Sequence, residues 1–219
     1  MMNLFSIFDP STSMKFSFNW ISMILFLMFT PKSFWLLKSR NNIYLLILMK
    51  LIKKEIKIIL KPQMHNSIML LSLMTLILFS NLTTLFPYIF PFFSHLSISL
   101  SLSLTLWVSL MMFGMLTNYK KMLAHLTPMS TPVILMPFMV LIETISSLIR
   151  PLTLAIRLTA NIIAGHLLMT LLSNSVINLM NLFFLTFPIE MILMILEISV
   201  SMIQSYVFMI LLTIYIKEI

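Results

Sequence analysis

The sequence predicts an all-helical membrane protein with about five transmembrane helices and one amphipathic helix lying in the membrane interface. Three observations carry that reading. Hydrophobic residues make up 60% of the 219-residue chain and charged residues only 9%, too little charge for a water-soluble domain. The apolar runs are long enough for spans of roughly 20 residues each. The basic residues cluster at the ends of those runs, so the net charge of +8 reads as a positive-inside bias rather than as a nucleic-acid surface. The chain has no cysteine, which excludes disulfides, thiol catalysis and thiolate metal sites.

The elements follow in order. Residues 1–13 are a short polar lead with a turn at Asp9-Pro10. Met1 to Phe8 lacks the basic n-region of a cleavable signal, so the apolar run after it reads as a first span over about 14–30. Trp20 and Trp35 are interface anchors near its ends. Lys50, Lys53, Lys54, Lys57 and Lys61 recur at helical spacing, which puts them on one face of an amphipathic interfacial helix. The alternative is a short span at 43–49 with snorkelling lysines. A second span runs over 67–86 and ends at Pro87. The third covers 96–116. Its opening LSISLSLSLTL alternates like a strand, but the apolar continuation favours a helix. Tyr119, Lys120, Lys121 and His125 are expected in a basic loop. Two long helices then cover about 138–173 and a stretch from about 176 or 188 to 216. The first would be about 54 Å long against a hydrocarbon core of about 30 Å, so it must tilt steeply or kink, with Pro151 as the kink site. This divides the chain into 1–61, 62–137 and 138–219. Segments 32–61 and 119–131 and Lys217 should share one side of the membrane. Loops 87–95 and 174–188, free of Lys and Arg, belong on the other.

The chemistry concentrates in the last two helices. Glu143, Arg150 and Arg157 are each seven residues apart, a spacing that drifts only about 20° per step around a helix. Glu190, Glu197 and Gln204 repeat the pattern. If the two helices pack antiparallel, one register places Arg157 near Gln204 and His166 near Glu197. Arginine keeps its proton, so Arg157 can act as a fixed cation that attracts a carboxylate and repels a cation, but it cannot relay protons. Gln204 can hydrogen-bond the guanidinium without neutralising it. A His166–Glu197 pair suits proton transfer near neutral pH. Glu143 lies about 21 Å along the helix on the other side of Arg157. Two titratable stations therefore flank a fixed charge, which describes two aqueous half-paths separated by an arginine barrier.

Plainer readings stand beside these. Arg157 could form a structural salt bridge to Glu197 or Glu143. Arg150, beside Pro151, could be an interfacial charge. Glu190, just after Pro188, could favour a helix N-terminus, and Asn161 could be helix–helix glue. His65, His95 and His125 share no ligand spacing, so no metal is expected. The sequence has no glycine-rich phosphate loop, no Ser/His/Asp arrangement and too little aqueous protein for an ATP site. Neither a cofactor nor catalysis by this chain is expected.

The stretch IETISSLIRPLTLAIRLTANIIAGHLL, followed by LEISVSMIQSYVFMILLTIYI, resembles the subunit a family of ATP synthase, in particular its mitochondrially encoded form. Weaker likenesses are NLTTLFP, LTLWVSLMMFG and AHLTPMSTP. Together they cover about 65–217. The resemblance implies a proton-translocating stator subunit in the mitochondrial inner membrane, bound to a ring of c subunits and to other membrane and peripheral-stalk subunits. It implies that Arg157 is the essential arginine and Gln204 its partner. His166 and Glu197, with Asn161, would form the proton entry path, and Glu143 the exit path. The basic side would be the matrix. The sequence departs from the usual family pattern at Asn81-Leu82-Thr83-Thr84-Leu85, at 128–132, and at Ser99 and Thr105. Three competitors remain. A pump subunit of a respiratory complex would need a chain of Lys and Glu within the spans. A structural assembly subunit would change in stability but not in coupling when Arg157 is replaced by Gln. A small secondary transporter would need repeated halves.

Overall fold

A computed structural model describes residues 4–12, 16–30, 36–60, 67–86, 88–127, 132–178 and 183–218. Six α-helices account for most of it: α1 Ser22–Phe29, α2 Arg40–Leu60, α3 Ser67–Thr84, α4 Leu96–His125, α5 Met136–Asn178 and α6 Phe183–Glu218. Short 3₁₀ turns stand at Leu4–Phe8, Phe18–Ile21, Phe92–Ser94 and Val133–Leu135. No strand occurs among the described residues.

Among the described residues four helices are long and apolar enough to cross a membrane, over Ser67–Thr84, Leu96–Lys120, Met136–Ser175 and Thr186–Lys217. The fifth expected span is not among them. Its described part is the turn Phe18–Ile21 and the 8-residue α1, which falls short of the roughly 20 residues an upright span needs. Trp35, Lys61, His65 and Pro87, singled out above, lie outside the described residues.

Local chemistry explains why the serine-rich start of α4 is helical. Ser99, Ser101, Ser103 and Thr105 each donate a hydroxyl to the backbone carbonyl three residues earlier, at 3.1, 2.8, 3.2 and 3.1 Å. Back-bonded in this way, a hydroxyl presents no unpaired donor to an apolar surrounding. The expected basic loop at 119–125 is instead helix. α4 continues to His125 with a kink at Asn118 (φ −141°, ψ 55°), because Tyr119 to His125 holds neither Pro nor Gly and its lysines favour helix. α5 begins earlier than expected. Pro137 is tolerated in its first turn, where the backbone N–H needs no partner. Pro151 sits inside it, fully buried.

α3 packs along α6 and α4 along α5, while α5 and α6 also contact each other. The core includes Ile77, Phe92, Phe93, Leu154, Leu158, Phe208 and Leu212. Helix α2 buries Ile56 and Leu60 and leaves Lys50, Lys54 and Lys57 exposed, as its amphipathic spacing requires. It rests on α3 and α6, where the Tyr206 hydroxyl donates to Glu55 Oε2 at 2.9 Å.

Candidate functional site

Two unbroken helices position the site. α5 carries Glu143, Arg150, Arg157, Asn161 and His166, and α6 carries Glu190, Glu197 and Gln204. Where α3, α5 and α6 meet lies a cavity of about 200 Å³. Its polar lining is Asn81 and Thr84 of α3, Asn161 and His166 of α5, and Glu197, Ser201 and Gln204 of α6. Asn161 Nδ2 donates to Gln204 Oε1 at 3.1 Å. Gln204 is 5% exposed, and its Nε2 has no hydrogen-bond partner among the described residues. The same holds for the buried Oδ1 of Asn81. One side of the cavity thus offers a spare donor and another a spare acceptor.

Gly165 makes room for the acid. A Cβ placed there would stand 2.5 Å from Glu197 Oε1, inside contact distance, so only glycine lets the carboxylate lie where it does against α5, in the cavity that His166 also lines. His166 and Glu197 also line a second, larger space of about 720 Å³, together with Thr170, Ser173, Glu190 and the N-terminal Asp9 and Asn19. The pair therefore stands between an outer vestibule and the inner cavity.

A third cavity, about 90 Å³, lies toward the other end of the bundle, between α4, α5 and α6. Trp107, Glu143, Ser147, Arg150 and Tyr215 line it. Arg150 Nη2 approaches Glu143 Oε1 at 3.8 Å, and its guanidinium lies 5.2 Å from the centre of the Tyr215 ring, within cation–π range.

Arg157 belongs to none of these cavities. It is exposed on the outer face of α5 and forms no ion pair among the described residues. Among the described residues Gln204 makes no hydrogen bond to it, contrary to expectation; Asn161, one turn further along α5, takes that place. The reading of Glu190 as a helix N-terminal charge also fails. α6 begins at Phe183 and runs through Pro188, so Glu190 lies beyond the first turn and faces the vestibule.

The fold and these cavities define a multi-pass helical membrane protein with titratable and polar groups set between long apolar helices. The family model for the ATP synthase A chain matches residues 14–217. The chain is 50% identical over 223 positions to ATP synthase subunit a of Drosophila melanogaster, covering 100% of this chain and 99% of that one. It is 48% identical over 224 positions to that of Anopheles quadrimaculatus and 47% over 227 to that of Aedes aegypti, with the same coverage. The chain therefore belongs to the ATP synthase subunit a family, a proton-channel component of the membrane sector rather than the catalytic part.

Sequence reasoning missed Asn81, Thr84, Ser201 and Gly165. Asn81 had a usable signal, an amide inside an otherwise apolar span that needs a partner or water. Gly165 had one too, as one of only 2 glycines in the chain.

Proposed function

We propose that this chain is the proton-conducting stator subunit of ATP synthase in the mitochondrial inner membrane, exchanging protons with carboxylates on a rotating ring of c subunits. Other membrane and peripheral-stalk subunits hold it in place. One observation carries the reading: Arg157 stands exposed on a helix built to cross the membrane, with no ion-pair partner among the described residues. A permanent charge in hydrocarbon is costly and needs a partner. A carboxylate on the rotor meets that need from outside the chain.

The two acids lie on separate paths. Protons enter through the vestibule past Glu190, reach His166 and Glu197, and continue into the inner cavity toward Asn161 and Gln204. At about 200 Å³ that cavity has room for several waters, which would bridge the spare acceptor of Asn81 to the spare donor of Gln204. The exit path leads past Glu143 to the matrix, with Arg150 beside it. Arg157 keeps the paths apart, since its fixed charge repels a proton and attracts each deprotonated rotor carboxylate in turn.

The helix arrangement supports this role. Asn161 meets Gln204 and Gly165 meets Glu197, so rising numbers on α5 face falling numbers on α6, as in an antiparallel hairpin. Helices of 43 and 36 residues extend about 65 and 54 Å. Both exceed a core of about 30 Å and so lie strongly tilted along the ring. Residues 138–219 form the proton path, 62–137 support it, and α2 places its lysines at the matrix surface.

The test is ATP-driven proton pumping in vesicles with Arg157→Gln against wild type, in complexes that co-purify with the c ring. The expected result is normal assembly with pumping lost. Pumping retained near the wild-type level would return Arg157 to a structural role.

A further inference from the structure

The N-terminal segment reaches the proton path. The turn Leu4–Phe8 packs against α5, and Ser6, Ile7, Asp9, Ser11 and Asn19 form one wall of the outer vestibule. Side-chain bonds hold the segment in shape. Asn19 Nδ2 donates to the Asp9 carbonyl at 3.2 Å, Ser11 N–H donates to Asp9 Oδ1 at 3.1 Å, and the Thr12 hydroxyl donates to the Phe16 carbonyl at 2.9 Å. The Ser11 bond also holds the Asp9 carboxyl below its ordinary value, so that position is anionic. The decisive contact is Phe8, whose ring meets the His166 imidazole edge to face, at 90° and 6.5 Å between centres. That is a favoured geometry for two aromatic rings.

We propose that the N-terminal turn is a built-in wall of the entry path and that Phe8 is a positioning residue, which fixes the orientation of the His166 ring between the vestibule and Glu197. This rests on the reading of His166 as an entry relay. A relay must present its ring nitrogens in two directions, toward donor and acceptor. An imidazole free to rotate about its side-chain bonds spends part of its time facing neither. The titratable groups on the cavities His166 lines are Glu197 and Glu190 of α6, Asp9 of the N-terminal segment and Tyr88 of the connection between α3 and α4. α3 offers only the neutral Asn81 and Thr84 there. Among the described residues none of these groups hydrogen-bonds the ring, whereas the Phe8 ring stands edge to face with it.

The experiment measures proton flux and assembly in vesicles holding the whole complex, for Phe8→Ala, Phe8→Tyr, His166→Gln and the Phe8→Ala/His166→Gln double variant. Phe8→Ala should lower flux about 2- to 12-fold, the rate equivalent of one lost edge-to-face contact. Phe8→Tyr, which keeps the ring, should stay near wild type. Phe8→Ala should add nothing to His166→Gln, because the residue acts through that histidine. Unchanged flux in Phe8→Ala while His166→Gln lowers it would overturn the proposal and leave the relay intact. Unchanged flux in His166→Gln would instead sink the relay reading itself. A second probe covers the case in which Phe8→Ala fails to assemble. The chain has no native cysteine, so Ile7→Cys gives it a single labelling site. A bulky, positively charged thiol reagent added from the entry side should block flux through Ile7→Cys complexes beyond any effect on wild type. Labelling without block would overturn the wall.

Discussion

Glu143 and Glu197 are both acids on long apolar helices, yet the chain holds them by different physics. Glu143 is about one-third exposed and has a cation 3.8 Å away on its own helix. Glu197 makes no ion pair among the described residues and lies where a missing side chain, that of Gly165, leaves room for it. One acid is stabilised by charge and the other is placed by fit. The two ends should therefore fail differently when altered: the Glu197 end through geometry, the Glu143 end through electrostatics.

The largest effect should come from geometry. Gly165→Ala puts a methyl group 2.5 Å from Glu197 Oε1. The flexible end of Glu197 can swing away, so we expect the complex to assemble and keep its thermal stability. Swinging moves the carboxylate within the cavity it shares with His166, and misplacing a reacting group by about 1 Å can cost on the order of 100-fold in rate. Proton flux in Gly165→Ala should fall by about 10- to 100-fold. Shortening the acid with Glu197→Asp in the same background should recover part of it. Undiminished flux in Gly165→Ala would mean that Glu197 is not placed by fit.

How far the site was legible in the sequence follows the same division. The heptad spacing of Glu190, Glu197 and Gln204 against α5 was enough to bring His166 and Glu197 to one cavity, because helix phase is a local property carried along an unbroken helix. The partner of Gln204 was not legible. Arg157 and Asn161 lie one turn apart, and only the packed interface decides which of them reaches the glutamine. Helix ends were misjudged where charge was taken as a sign of loop, as at Tyr119 to His125, which is helical. The N-terminal segment carries no periodicity, and its place in the vestibule wall depends on contacts with residues far along the chain. Such contacts leave no trace in a short-range pattern.

A smaller effect is expected at the Asn161–Gln204 bond. Asn161→Leu removes the donor from Gln204 Oε1 and leaves a buried amide whose other end already has no partner among the described residues. Leaving such a group unsatisfied costs about 1–3 kcal/mol, visible as a lower melting temperature of the purified complex. Asn161→Leu/Gln204→Leu should recover most of that stability, since replacing both partners with apolar groups can be nearly neutral. Flux should stay low in both. Recovery of flux along with stability would show that this pair only holds the helices together.

The smallest effect should be at Arg150, where the comparison between the two acids is sharpest. Arg150→Gln removes the cation beside Glu143 but leaves the carboxylate about one-third exposed, so solvent replaces much of the lost stabilisation. Pairs of this exposure contribute about 0–1 kcal/mol, and we expect stability and flux to change by no more than about 5-fold in equivalent terms. The diagnostic is salt. An ion pair open to water is screened, with a Debye length of about 10 Å at 0.1 M. The flux difference between Arg150→Gln and wild type should therefore shrink as ionic strength rises on the Glu143 side. The defect of Gly165→Ala is steric and should not respond to salt. If the Arg150→Gln defect is large and independent of salt, Glu143 too is placed by fit, and the division between the two ends collapses.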